Sequence, residues 1–176
     1  MDRTKRVNPS VLGKVARRTL TLLHRQGMVV RSVIVDKVDK VRNWIAELIM
    51  PREELGNHSI CPFAATSSFL IRETTIGGVS PISGVDVAIF IVEENVTIDH
   101  LIDRCRILNE MYPDYIFLDD HKDDPSYING IQSNYGIDNL ILVQKKDKLL
   151  TARKNLKKTD YYTYWSEEFY KKIVEG

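Results

Sequence analysis

Cysteine is scarce in this chain. Cys61 and Cys105 are the only two in 176 residues, and they lie far apart with no paired metal-ligand spacing. That is too few for a disulfide framework, and it fits a reducing compartment. Long apolar runs are missing as well. None approaches the roughly 18 residues that a membrane-spanning helix needs, and no apolar signal core follows the basic start Met1–Arg6. A large charge excess is also absent: the net charge is +1, which gives no global attraction to nucleic acid or to an anionic membrane. Gly77-Gly78 lacks the Lys and Ser/Thr of a phosphate-binding loop, and no Gly-x-Ser-x-Gly nucleophile motif, internal repeat or low-complexity segment occurs. These absences leave a soluble, cytoplasmic protein without a membrane partner as the expectation.

Enough apolar material is present to build a core, with 43% of residues hydrophobic. Asn8 and Pro9 suit a helix start, Val11, Val15, Leu22 and Leu23 form an apolar stripe, and Gly27 ends it. His24 lies near the end of this helix. A β-branched strand follows over Met28–Val35. Asp36 is placed to cap a helix in which Val38, Val41, Ile45, Leu48 and Ile49 recur at helical spacing, limited by Pro51. Residues 1–50 therefore read as an N-terminal helical arm packed on a main domain, and residues 51–176 as that α/β domain with a C-terminal helical pair.

Within the main domain, Phe69–Thr75, Val85–Val92, Tyr115–Leu118 and Asn139–Gln144 read as strands. Val85–Val92 is apolar on both alternating faces except at Asp86, which places it at the sheet centre. Thr97 caps a helix whose stripe is Ile98, Leu101, Ile102, Cys105 and Leu108, with His100 on its polar side. A polar loop runs from Asp119 to Gly136. Asp147 is placed to cap a helix through Leu156, and a last helix carries Trp165, Phe169 and Ile173 on one face. The order predicts an α/β (α+β) sandwich: a mixed, partly antiparallel sheet of about four to five strands with helices packed on it.

Three stretches carry chemistry. The first is Ser59-Ile60-Cys61-Pro62-Phe63-Ala64. A thiolate at a helix N-terminus is stabilised by the dipole and by free N–H groups, and Pro62 fits the first helical position. His58 stands three residues before Cys61 as a candidate base. The alternative is a small buried thiol filling core beside Phe63. Cys105, on the apolar stripe of its helix, reads as core.

The second stretch is Asp119-Asp120-His121-Lys122-Asp123-Asp124 after a strand, where sites collect in α/β proteins. Carboxylates with one imidazole suit acid–base work or a hard divalent cation, although no spacing matches a known metal loop. The bland alternative is a solvated loop.

The third is Thr159–Trp165, preceded by Ala152–Leu156: aromatics interleaved with basic residues could stack bases, but Trp165, Phe169 and Ile173 fit one buried face, so packing is the default, with the surplus tyrosines suited to a dimer or partner surface. Charge is uneven too: Arg3, Lys5, Arg6, Lys14, Arg17, Arg18, Arg25 and Arg31 face only Asp2 among the first 35 residues. Solvated helix faces are the favoured explanation over a polyanion site, since no nucleic-acid motif accompanies the cluster.

The run from Trp44 through Cys61–Ala64 to His121–Tyr127 and Ser133-Asn134-Tyr135 before Leu140 resembles a family of small uncharacterised bacterial proteins with a Cys-Pro-Phe-Ala motif. The resemblance spans roughly residues 40 to 145 and implies no reaction or cofactor. It draws Tyr127 and Tyr135 into the candidate site. The tetrapeptide also resembles the active-site start of omega-class glutathione transferases. There it follows a first strand, whereas here a long helix precedes it, and no second cysteine completes a Cys-x-x-Cys pair.

Three functions follow as expectations. One is a thiol-dependent enzyme with Cys61 as nucleophile or redox centre, His58 or His121 as base, and a small-molecule substrate. The second is a binding or accessory module that holds a protein partner or a second copy through its basic first helix or tyrosine-rich last helix. The third is a divalent-metal enzyme built on Asp119, Asp120, His121, Asp123 and Asp124.

Overall fold

The computed structural model describes residues 36–175. The chain divides between Val35 and Asp36. The helix and strand expected over residues 8–35, with His24 and the basic cluster, lie outside the described residues.

Four strands, β3 (Phe69–Glu73), β4 (Val87–Val92), β5 (Tyr115–Asp120) and β8 (Asn139–Lys145), form the main sheet. Their order across it is β3-β4-β8-β5. β3 runs parallel to β4, and β8 lies antiparallel between β4 and β5. The mixed, partly antiparallel sheet with helices packed on it is therefore as the sequence predicts. Two-stranded hairpins β1–β2 (Pro51–Arg52, His58–Ser59) and β6–β7 (Tyr127–Ile128, Ile131–Gln132) lie apart from it.

Strand β4 is buried along its whole length, and its period-two alternation feeds two cores. Ala88, Phe90 and Val92 face Leu101, Cys105 and Leu108 of α2 (Ile98–Met111), with Phe117, Ile141 and Val143 from the neighbouring strands. Val87, Ile89 and Ile91 face the other way, toward Val41 of α1 (Lys37–Leu48), Phe63 of the Cys-Pro turn and Leu149 of α3 (Lys146–Leu156). Of the expected arm, the described helix α1 thus packs on the sheet, with Val41 fully buried.

The helix caps divide. Thr97 Oγ1 accepts from the His100 backbone N–H, as its position predicts. Asp36 precedes α1 with no side-chain capping bond, and α3 begins at Lys146, so Asp147 sits in its first turn rather than at the cap. The expected last helix is broken into a 3₁₀ turn at Tyr161–Tyr164, a short α4 (Glu167–Tyr170) and a π turn at Lys171–Glu175.

The polar loop before β8 holds the hairpin β6–β7. Its turn is Asn129-Gly130, both at positive φ (46° and 80°). Asn-Gly between Ile128 and Ile131 is a strong hairpin signal because a type I′ turn needs positive φ at both central positions. Asn129 Nδ2 donates to Glu54 O at 2.7 Å, and Ile128 packs with Leu48, Leu55 and Ile60, so the hairpin is anchored.

At the β5 edge, the side chain of Asn109 stands in for a neighbouring strand. Its Nδ2 donates to Phe117 O (3.0 Å) and its Oδ1 accepts from Phe117 N (2.8 Å). Asn109→Ala leaves both backbone groups to water or to nothing. The expected cost is about 1 kcal/mol in urea unfolding, with Asn109→Asp intermediate because it keeps only the acceptor. An unchanged midpoint for Asn109→Ala would mean that the edge is stable without this clamp.

Candidate functional site

The Cys-Pro stretch forms a tight turn. The Ala64 backbone N–H donates to Cys61 O at 3.0 Å, and the helical segment is a single 3₁₀ turn, Ala64–Thr66. The expectation of a helix N-terminus at Cys61 is thus met only by one turn, too short to carry a macrodipole. Cys61 is half-buried and packs against the face of the sheet that holds Phe63, Leu149 and Ile116.

Cys61 lines a cavity of about 130 Å³ between the Cys-Pro turn, α3 and the aromatic C-terminal segment. Phe63, Leu149, Leu156 and Trp165 give it an apolar wall, while Gln144 and Arg153 add polar groups. Gln144 pairs with Val87 of β4 and Ile116 of β5, so the cavity lies toward the amino-terminal ends of those parallel strands. Gln144 is 8% exposed, and its Oε1 has no hydrogen-bond partner among the described residues.

Burial pushes the Cys61 thiol up from its ordinary value. The backbone N–H groups of Ala64 and Phe63 and the Arg153 cation pull it the other way, with less effect. Burial also draws the Arg153 guanidinium below its ordinary value. No carboxylate pairs with Arg153 among the described side chains.

His58 is committed elsewhere. Its Nε2 lies 2.6 Å from Asp160 Oδ1, a contact that lowers the Asp160 carboxyl, and its ring meets Tyr161 edge-on at 5.6 Å. Tyr161 is buried and donates its hydroxyl to Ile60 O at 2.5 Å. The aromatic segment is thereby tied to the strand that leads into Cys61. Trp165 packs on Tyr161 (5.5 Å), Tyr162 (5.1 Å) and Phe169 (4.9 Å). Gly56, at φ 60°, lies so close to Tyr164 that a Cβ there would overlap its ring.

The acidic loop is split by strand alternation. Asp119 and Asp120 belong to β5 and face opposite ways. Asp119 is exposed on the side of Cys105, where burial and the nearby Asp119 charge push the thiol up to about 12. Asp120 is buried on the other side, accepting from Tyr135 N at 2.9 Å and, more weakly, from Asn134 Nδ2 at 3.5 Å. Burial pushes its carboxyl up to about 6.

His121 is buried with both ring nitrogens used. Nδ1 accepts from Asp123 N (3.1 Å), which makes Nε2 the donor to Val96 O (2.9 Å). Val96 belongs to the core under α2, the face opposite Cys61, so the two are not brought together. Asp123 and Asp124 are exposed. Among the described residues no three His, Cys, Asp or Glu side chains gather to hold a metal ion.

Tyr127 is exposed. Tyr135 is buried against Trp44 (5.5 Å between rings), and burial pushes its hydroxyl up to about 12. Asn139, fully buried, donates to Glu93 O and Val96 O and accepts from Lys122 N. Lys37 bridges Glu94 (3.0 Å) and buried Asp138 (2.9 Å), bonds that raise its own pKa.

Sequence reasoning missed Gln144 and Arg153 as lining residues. Gln144 carried a signal: it is the one polar residue in the apolar run from Leu140 to Gln144. Arg153 carried only its place in the basic run before the aromatic stretch, which did not distinguish it from Lys154 and did not link it to Cys61.

No family model matches this chain, and neither a curated protein nor a solved structure does. No helix among the described residues is long and apolar enough to cross a membrane.

Two pH effects follow. Asp120 binds a proton more tightly folded than unfolded, so its contribution is present below about pH 4 and is lost as pH rises through 6. The loss is of order 3 kcal/mol. The difference in urea stability between wild type and Asp120→Asn should show this step, and carbon-detected NMR should place the Asp120 midpoint near 6. A midpoint near 4 would mean that its hydrogen bonds offset burial. In Cys105→Ala, alkylation of Cys61 should rise with pH without levelling off below pH 9, since the thiol lies above its ordinary value. A plateau below pH 8 would mark an activated thiolate.

Proposed function

We propose that this protein is a binding module whose ligand is a small molecule held in the Cys61 cavity. The observation that carries the reading is a concave apolar space with a few polar groups at its wall, the usual composition of a small-molecule site. Its size is near that of a buried cavity of about 150 Å³ that admits benzene. The tyrosine-rich C-terminal segment closes one side, which gives that segment a part in binding beyond packing. In this reading Cys61 is a wall residue.

Thiol chemistry at Cys61 is the second reading. It is favoured by the N–H groups of Phe63 and Ala64 at the sulfur, and opposed by the larger effect of burial and by the commitment of His58 to Asp160. The alkylation profile separates the two.

The test uses Trp165, which lines the cavity. Trp44→Phe makes Trp165 the only indole, because the chain has two tryptophans. The Trp44 Nε1 has no partner, so no hydrogen bond is lost. Benzyl alcohol and indane, titrated into this variant, are expected to give saturable fluorescence changes and a higher melting temperature. Ala152→Leu fills the cavity from α3 with a good helix former and should abolish both responses while the protein stays folded. No saturable response with any apolar probe would sink the proposal.

A further inference from the structure

Resting on the binding reading of the same cavity, we infer that its ligand class is a small carboxylate with an apolar body and a hydrogen-bond donor, the carboxylate held by Arg153 and the donor by Gln144. Both residues line the cavity together with Phe63, Leu149, Leu156 and Trp165. Two unmet requirements of the chain itself define the class.

Arg153 is the first. It is half-buried on α3, has no salt bridge to a described carboxylate, and is the cation that lines this cavity. A guanidinium drawn out of water beside an apolar wall lacks the anion that its fork of N–H donors fits. A planar carboxylate meets that geometry with two parallel bonds.

Gln144 is the second, and it is independent of charge. Its side chain is nine-tenths buried and its Oε1 accepts nothing. A buried acceptor without a donor costs free energy, and a hydroxyl or N–H on the ligand removes that cost. A carboxylate alone cannot, because it brings no proton. The apolar residues between these two groups take the body of the molecule. With about 130 Å³ available, that body is a single ring or a short branched chain.

The probes are benzoate, the three hydroxybenzoates, benzyl alcohol and benzylamine, with affinity read by calorimetry at pH 7. Benzoate is expected to bind about tenfold tighter than benzyl alcohol, and benzylamine more weakly than both. Arg153→Met should bring the ratio of benzoate to benzyl alcohol affinity close to one, whatever it does to either alone, while Arg153→Lys, which keeps the charge, should retain part of that preference. One hydroxybenzoate isomer should exceed benzoate by about threefold, a gain that Gln144→Leu erases.

If benzyl alcohol matches benzoate and Arg153→Met changes nothing, the anionic class is overturned while the cavity remains a binding site. If no hydroxybenzoate exceeds benzoate, the donor half of the class is overturned. If none of the probes binds, this class and the binding reading fail together, whereas binding of the neutral alcohol alone fails only this class.

Discussion

A strand with no solvent face sets the terms for this fold. Every residue from Val87 to Val92 is buried, so β4 must be covered on both sides by apolar surface from elsewhere in the chain. Helix α2 covers one side. The other needs three pieces: α1, the Cys-Pro turn with Phe63, and α3. The insertion of β8 between β4 and β5 serves the same end. It pairs both backbone edges in the middle of the sheet and brings Leu140, Ile141, Leu142 and Val143 to the two cores in alternation.

The two ends of the sheet are used differently. At the carboxyl ends of β4 and β5, the buried polar residues Asp120, His121, Asn134, Asp138 and Asn139 tie long connections together. His121 and Asn139 both bond Val96 O, Asp120 holds the segment at Asn134 and Tyr135, and Asp138 takes Lys37 from α1. Buried polar groups seek partners, and here His121, Asn139 and Asp120 find them in the backbone of neighbouring loops, Asp138 in the Lys37 ammonium, while Asp138 Oδ2 and the Tyr135 hydroxyl are left without one among the described residues. That commitment leaves the imidazole of His121 and the carboxylate of Asp120 fixed in place. Toward the opposite end lies the cavity, where Gln144 Oε1 has no hydrogen-bond partner and Arg153 no salt bridge among the described residues.

The aromatic C-terminal segment connects the two hairpin regions to that cavity. Tyr161 reaches Ile60, Tyr164 presses on Gly56, and Trp165 and Phe169 pack with the cluster of Leu48, Leu55, Ile60 and Ile128. The His58–Asp160 contact fastens the start of the segment. A ligand in the cavity would touch Tyr161, Tyr162 and Trp165, so occupancy and the docking of this segment are physically coupled.

By itself the sequence determined the four strands of the main sheet and the helices that cover it, but not the two short hairpins or the break in the last helix. Six consecutive apolar residues in β4 require burial on both faces, the stripe Leu101, Cys105 and Leu108 fixes the inward face of α2, and Thr97 supplies its cap. These are local periodicities, legible without neighbours. The tertiary structure alone decided which side chains meet. Strand alternation sent Asp119 and Asp120 to opposite faces, and the sheet separated Cys61 from His121. Sheet pairing of β8 and the packing of α3 then put Gln144 and Arg153 in the wall of the cavity that Cys61 lines. Those outcomes depend on pairing and crossing between segments far apart in the chain. That is why a run of acidic residues read as one cluster, while a lysine-rich helix gave no sign that its single arginine lines the cavity.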